Sequence, residues 1–320
     1  MENPLDEFGS HGHRYQRAAI VANPKAGSTT AEYLASVATV CRDYVDEVDI
    51  VRTLRPGHAT EVVAELLRGP ARPDVIVSIG GDGTLREVVT GLVEVASNHT
   101  PLVVLPGGTA NSNYRSLWDD VPWHEALTAA LTGAAESRLI DLAWIAELSR
   151  MVVLGLSTGL FAEATARALS LPVSGRPRYQ RAIAEALETY QPYEGRVLVD
   201  GAVVHSGKIV VANVGGGRYR AGVLNMLPKS IRDDGLLDVC VVDPSIPTTT
   251  ALELMRSGRH LEAGGSTYAR GRSVTLERLD GLPLHFEHDG EVVPTDRSSI
   301  TVEVLPRALH VLASHQRTGG

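Results

Sequence analysis

The chain has 320 residues, 43% of them hydrophobic and 21% charged, with a net charge of −8 at neutral pH. That length and composition suit a globular protein of two domains and exclude a disordered one. The acidic balance, with aromatics at only 5%, argues against wholesale nucleic-acid binding and against polybasic anchoring to anionic lipid.

Residues 1–15 are polar and predict a disordered tail, in which His11 and His13 read as tail residues rather than metal ligands. No apolar run approaches the ~18 residues that would span a bilayer. The chain therefore reads as soluble, at most peripheral to a membrane. Cys41 and Cys240 stand far apart among apolar neighbours, without disulfide or zinc spacing. A reducing cytoplasm fits that usage.

The chain order then alternates. Residues 17–21 predict a strand, 30–45 a helix with Leu34, Val37, Ala38 and Cys41 on one face, and 48–52 a second strand. Pro56-Gly57 breaks it, and 58–68 resumes helical spacing. A third strand at 75–79 meets the turn Gly80-Gly81-Asp82-Gly83, and a helix follows over 85–96. Residues 102–105 make a fourth strand, closed by Pro106-Gly107-Gly108, and 123–132 another helix. Strand and helix in alternation indicate a parallel sheet in a three-layer α/β domain, with ligands at the carboxyl ends of the strands.

The second half changes character. Short strands are predicted at 151–156, 196–199, 202–205, 208–213, 236–242, 273–279 and 300–304, with a hairpin turn at Asp200-Gly201. Helices intervene near 162–169, 177–189 and 248–261. This is a mainly antiparallel β domain, read as a β-sandwich. The expected division is an α/β domain over 16–138, a β domain over 139–306, and a terminal segment, 307–320, returning towards the first domain.

The glycine turn at 80–83 follows an apolar strand and opens a helix. Glycines allow close backbone approach, and a helix N-terminus presents unbonded N–H groups and partial positive charge to a phosphate. Taken alone, the turn also fits a plain chain reversal. Further segments change its weight. NPKAG (23–27) follows the first strand, and Thr53 ends the second. GGDGT (80–84), with Glu87 one turn later, follows the third, and LPGGTAN (105–111) follows the fourth. DDGLLDV (233–239) and DGE (289–291) lie in the β half. In this order they resemble the catalytic domain of the diacylglycerol kinases, the soluble bacterial lipid kinases related to sphingosine and ceramide kinases. The resemblance runs from about residue 17 to 312.

It implies a kinase that transfers the γ-phosphate of ATP to a hydroxyl of diacylglycerol or a related lipid, in a cleft between the domains. Asn23, Lys25, Gly27, Ser28, Thr53, Gly80, Gly81, Gly83, Thr84, Glu87, Thr109 and Asn111 would bind the nucleotide. Glu87 would reach back to the nucleotide or cap the start of its own helix, the one that the glycine turn opens. A hydroxyl acceptor loses its proton as it attacks, so a carboxylate belongs beside it. Asp289 and Asp82 are the candidates, and Asp289 is the preferred base. Glu291 would then hold water or metal on the phosphate side, and Asp82 would orient the turn or join a magnesium–water network. Asp289-Gly290 also fits an ordinary hairpin turn. Asp141 would face the lipid head group. Magnesium is implied by the phosphates. The family also implies a structural metal at DDGLLDV, on the Asp234 side chain and the carbonyls of Ile231 and Leu236; a solvated acidic turn is the plain alternative. Leu160, Phe161 and Leu169 are candidates for an acyl-chain groove or for ordinary core.

The chain departs from the family in the fourth loop. Ser112 stands where many members carry aspartate, and Asn113 where they carry an aromatic residue. That leaves the substrate class open. An NAD kinase or sugar kinase sharing the glycine turn, and a non-catalytic nucleotide- or lipid-binding regulator, are the competing readings. A lipid substrate met at the membrane surface, no nucleic acid and a possible homodimer complete the expectations.

Overall fold

The fold was read from a computed structural model that describes residues 14–96, 99–172 and 176–315. The expected tail, with His11 and His13, lies almost wholly outside the described residues. The chain forms two compact units. Unit 1 runs to Gly108 and then takes Leu117–Leu139 and the chain from Leu309; unit 2 holds Thr109–Ser116 and Ile140–Ala308.

Unit 1 alternates β1 (Tyr15–Ala22), α1 (Ala31–Tyr44), β2 (Val45–Arg52), α2 (His58–Arg68), β3 (Val75–Gly80), α3 (Asp82–Glu94) and β4 (Leu102–Pro106). A short helix, α4 (Ser112–Trp118), follows across the division, and α5 (Trp123–Thr132) returns to unit 1. The strands are parallel, in the order β2-β1-β3-β4. All of β3 is buried, as a strand covered on both faces must be. Thr30 starts α1 by accepting the Tyr33 N–H at 3.1 Å, and Leu34, Val37, Ala38 and Cys41 bury its inner face as their spacing predicts. Burial pushes the Cys41 thiol up to about 12, which leaves it a packing residue.

The chain crosses one way from β1 to β2 and the other way from β2 through β3 to β4. Right-handed crossovers then put α1 on one face and α2 with α3 on the other. The side-by-side pairs, α1 on α5 and α2 on α3, agree. The reversal falls between β1 and β3, the switch point at which such sheets hold ligands.

Unit 2 opens with β5 (Glu136–Ile145), whose first residues belong to unit 1. It continues with β6 (Arg150–Val152), β7 (Gly155–Gly159), α6 (Leu160–Ser170), α7 (Arg176–Thr189), β8 (Tyr193–Val199), β9 (Ala202–Ile209), β10 (Val211–Gly215), β11 (Tyr219–Arg220) and β12 (Leu224–Asn225). Then come β13 (Leu237–Val242), α8 (Thr248–Ser257), β14 (Ser266–Gly271), β15 (Ser273–Arg278), β16 (Phe286–His288), β17 (Glu291–Val293) and β18 (Ser299–Ala313). One antiparallel sheet runs β14-β13-β10-β7-β16-β17, and β18, β15, β8 and β9 pair in a second. Their facing side chains form one core, with Leu156, Val214, Val239, Val241 and Phe286 against Val197, Val274, Leu276 and Ile300. This is a β-sandwich. The other face of the first sheet carries a second core, in which Leu160, Phe161, Cys240 and Val242 pack with Met226 and Met255. Leu160 and Phe161 are thus core residues, whereas Leu169 is 69% exposed. The β18 strand serves both units in turn. Its start pairs with β15, and Val311 near its end pairs in parallel with Leu102 of β4.

Candidate functional site

The residues singled out by the sequence fall into two arrays, one in each unit. In unit 1 they gather at the switch point. The Asn23 N–H donates to the Ile79 carbonyl at 2.9 Å, which continues the β1–β3 pairing into the loop. Its side-chain Nδ2 donates to Thr84 Oγ1 at 2.9 Å, and its Oδ1 accepts the Lys25 N–H at 3.0 Å. The loop is fixed on its other side by the Ser28 N–H, which donates to the Gly107 carbonyl at 3.0 Å, and by the Gly107 N–H, which donates to Gly80 O at 3.0 Å. Three strand-end turns, at 23–28, 80–84 and 107–108, are therefore one hydrogen-bonded assembly.

The glycines divide into two kinds. A Cβ on Gly80 would lie 2.6 Å from Thr84 Cβ, and one on Gly107 would lie 2.7 Å from the Gly80 nitrogen. Those two are needed for packing. A Cβ on Gly83 would meet nothing within 4 Å, and one on Gly81 would meet only the Gly108 Cα at 3.5 Å. The backbone that opens α3 is therefore bare of neighbours on that side. The helix begins inside the motif, at Asp82, rather than at residue 85 as its periodicity suggests, and Gly81 leaves its N-terminus without a side-chain cap. The first N–H groups of a helix have no acceptor within it, and with the helix dipole they favour an anion. Lys25, Gly27 and Ser28 are exposed beside this turn in the same assembly, and Thr53 is buried with its N–H on Ala22 O at 2.8 Å.

Glu87 faces another way. Its carboxylate accepts the N–H groups of Gly57 at 2.8 Å and Ala59 at 3.2 Å. Gly57 has φ +81 and no side chain to cap α2, so Glu87 supplies that cap from the neighbouring helix. The cap expected of Glu87 was at the start of its own helix, α3; the structure places it at the start of α2 instead.

The second array is in unit 2, and Thr109 and Asn111 belong to that unit, with Asn111 at φ +52. Ser112 is buried and accepts the Gly222 N–H at 3.0 Å. Asp289 and Gly290 form the two-residue turn between β16 and β17, with φ +50 and +84, the pairing being His288 opposite Glu291. Two central residues with positive φ make a type I′ hairpin turn, for which Asp-Gly is a preferred pair. That turn swings the Asp289 carboxylate back into the unit. It accepts the N–H groups of Leu154 at 2.7 Å, Val153 at 3.0 Å and Gly155 at 3.4 Å, and His288 Nδ1 lies at 3.4 Å. The side chain is 0% exposed. Burial alone would raise this carboxyl. The hydrogen bond and charge of His288 and the Val153 and Leu154 N–H groups outweigh it and hold the group below the ordinary aspartate value.

Glu287, two residues earlier, goes the opposite way. Burial pushes its carboxyl up, against the opposing pull of Arg220, the Gly290 N–H and Ser157. Glu287 sits opposite Ser157, which sits opposite Asn213, and Asn213 Nδ2 donates to Ser157 Oγ at 2.6 Å. A buried polar row therefore runs across three strands beneath the turn. The sequence reading missed Glu287; its place between Phe286 and His288 gives no local sign of burial. Glu291 is exposed, with Arg150 at 3.8 Å.

Asp141 is buried, and both of its oxygens accept backbone N–H groups, from Gly235 at 2.6 Å and Arg307 at 2.7 Å. In DDGLLDV, Asp234 accepts the Leu236 N–H at 3.1 Å and pairs with Arg270. Arg270 also contacts buried Asp238 at 3.1 Å. Among the described residues no group of three His, Cys, Asp or Glu side chains is placed to hold a metal ion, and no helix is long and apolar enough to cross a membrane.

Comparison with known proteins identifies this arrangement. Residues 17–144 match the model of the diacylglycerol kinase catalytic domain, and residues 155–313 match that of the YegS C-terminal NAD kinase beta sandwich-like domain. The chain belongs to the diacylglycerol kinase catalytic-domain family. A protein of Pseudomonas syringae pv. syringae named "Probable lipid kinase YegS-like" is 29% identical over 83% of this chain and 83% of its own. A protein of the same name from Pseudomonas aeruginosa is 28% identical over 94% of this chain and 90% of its own. The crystal structure of a diacylglycerol kinase from Bacillus anthracis str. Sterne superposes with a TM-score of 0.69 at 20% identity, covering 94% of this chain and 97% of that one. The two-domain architecture, a parallel α/β unit followed by a β-sandwich, is the one expected.

Proposed function

We propose that this chain is an ATP-dependent lipid kinase, which transfers the γ-phosphate of ATP to a hydroxyl of diacylglycerol or a related lipid. The observation that carries the reading is the glycine turn that opens α3 at the switch point, where a Cβ on Gly83 would meet nothing and Asn23 and Thr84 are hydrogen-bonded. Phosphoryl transfer asks for positioning and charge stabilisation more than for covalent chemistry. The backbone of Gly81 and Gly83, the Thr84 hydroxyl and the loop of Asn23, Lys25, Gly27 and Ser28 are suited to hold phosphates. Thr109 and Asn111 complete the nucleotide contacts in this reading, and Thr53 and Gly80 act by shaping the turn. Glu87 serves the site indirectly, through the start of α2.

The acceptor chemistry is assigned to unit 2. The donors around Asp289 keep its carboxylate ionised, the state a proton acceptor requires. Glu291, on the next residue but one, holds water or metal on the phosphate side. Both oxygens of Asp141 accept backbone N–H groups, which fixes the carboxylate while leaving each oxygen a second lone pair for a head-group hydroxyl. Magnesium fits as an ion carried by the nucleotide, because the turn offers one carboxylate, Asp82, and magnesium retains most of its waters. It would neutralise charge on the phosphates; the chain's own groups bind and orient them. Contact with a membrane surface during turnover follows from a lipid acceptor.

Incubating the protein with γ-labelled ATP and a lipid extract in detergent micelles, followed by thin-layer separation, tests the class directly. Label in a chloroform-soluble product is the expected result. Label confined to water-soluble products would exclude the lipid kinase and favour the NAD-kinase or sugar-kinase reading.

A further inference from the structure

The family resemblance implies a structural metal at DDGLLDV, and the residues present do not fit one. The ion would need the Asp234 side chain. Its Oδ1 accepts the Leu236 N–H at 3.1 Å, and its Oδ2 faces the Arg270 guanidinium. The same guanidinium reaches Asp238 Oδ1 through Nε at 3.1 Å. The origin of the contact is the sheet register. Arg270 on β14 stands directly opposite Asp238 on β13, and cross-strand partners with opposite charges attract. Asp234 lies on the turn just before β13, so one side chain spans both carboxylates. Asp238 is fully buried and also accepts the Tyr268 hydroxyl at 2.7 Å. From the other side, Asp141 holds the Gly235 N–H at 2.6 Å.

We infer that Arg270 is a built-in cation that takes the place of a structural metal at this turn, so that unit 2 holds its DDGLLDV segment without a divalent ion. Its planar fork suits this task, since two of its nitrogens meet two carboxylates at once. A divalent ion on Asp234 would lie against a fixed positive charge and displace a guanidinium already bonded to both acids. The ion that arrives with a nucleotide is a separate matter, and nucleotide is left out of the test.

The test is thermal unfolding of the full chain, stripped with EDTA and then returned to millimolar magnesium or calcium. It is run for the native protein, Asp234→Asn and Arg270→Gln. The native midpoint is expected to be the same with EDTA and with either cation. Arg270→Gln is expected to fall by about 3–8 °C, because it strands two facing carboxylates, one of them buried. A native midpoint that rises with cation, with the rise abolished in Asp234→Asn, would overturn the inference. A rise that survives in Asp234→Asn at the same cation concentration, unweakened by loss of the charge, comes from another site and leaves the inference standing. Arg270→Gln as stable as the native protein in EDTA would also overturn it. If that variant does not fold, the native and Asp234→Asn arms decide the question by themselves.

Discussion

Asp289→Asn separates the chemistry of the acidic hairpin from its architecture. Asparagine tolerates the left-handed backbone that Asp289 occupies at φ +50, so the turn itself survives and only the carboxylate is lost. The carboxylate makes two strong bonds, to the N–H groups of Leu154 at 2.7 Å and Val153 at 3.0 Å, and a longer one to Gly155 at 3.4 Å. Hydrogen bonds to a charged group contribute about 1.5–3 kcal/mol, and a stranded buried donor costs about 1–3 kcal/mol. The amide oxygen keeps one partner, while the amide nitrogen turns a donor towards other donors. The net loss is about 2–4 kcal/mol, a midpoint fall of about 5–12 °C for a unit of this size. The sign with pH is fixed by the lowered carboxyl. Its contribution is complete above the ordinary aspartate value near 4 and disappears as pH falls through the lower folded value. The gap between native and variant melts, followed by circular dichroism, is therefore expected to stay level from about pH 5 to 8 and to close below about pH 4. Labelled transfer should vanish in the variant, while ATP binding by calorimetry persists, since those contacts are assigned mainly to unit 1. Near-normal turnover would remove Asp289 from the base role. A gap that widens towards acid would refute the electrostatic account of the anchor.

The remaining predictions use the same logic. Gly83→Ala should stabilise α3 slightly, by about 0.5–1 kcal/mol, because the new Cβ meets nothing; ATP affinity should nonetheless fall at least tenfold, and unchanged affinity would contradict a phosphate at this turn. Gly80→Ala should cost about 1–3 kcal/mol, since its Cβ would press on Thr84 at 2.6 Å; a chemical denaturation midpoint equal to the native one would count against the packing argument. For Glu287→Gln the carboxyl is raised by burial, so the native protein loses stability as pH rises above about 4.5 and the amide does not. The variant's relative melting temperature should therefore climb as pH rises above about 4.5 and level off above the raised folded value, and a flat difference would show that Glu287 is not driven up. Glu87→Ala removes the α2 cap and should cost about 1–2 kcal/mol, seen as faster hydrogen exchange at the amides of Gly57 and Ala59; protection unchanged there would deny the capping role.

Much of unit 1 was legible because each signal is local. Buried parallel strands announce themselves as β-branched runs such as VIVSIG, and glycine and proline mark where they stop. The misses have local causes too. At 15 residues, β18 was expected to end at 304, because Pro306 and its neighbours look like a break. The strand instead passes through, with Arg307 at φ +53 and its N–H taken by Asp141 at 2.7 Å. That acceptor lies far away in sequence and leaves no trace beside Arg307. The strands β16 and β17 have three residues each, too few for any period, and β14 is mostly half-exposed, without a clean alternation. In α4, seven residues long, the buried Tyr114, Leu117 and Trp118 span barely one turn, too little for a period to stand out. The division expected after residue 138 falls inside β5, which runs from Glu136 to Ile145, so no loop marks it.

The site shows why residue type is easier to read than residue role. Asp289-Gly290 carries two signals, a hairpin turn and a catalytic acid, and the sequence reading set them against each other. The structure shows the turn, and positive φ at both positions carries the carboxylate onto the Val153–Gly155 backbone. A similar pattern recurs at Glu87, whose acceptors cap α2, and at Asp141, whose oxygens hold Gly235 and Arg307. In each case an acidic side chain serves backbone N–H groups well separated from it in sequence. Buried backbone donors must find acceptors, so a carboxylate in a glycine-rich site is claimed first by the nearest unpaired N–H. Its reactivity is decided afterwards, by how many donors it has already taken. By that measure Asp289, bonded to three N–H groups, is an acid already well supplied with donors. Together with His288 they hold its carboxyl below the ordinary aspartate value.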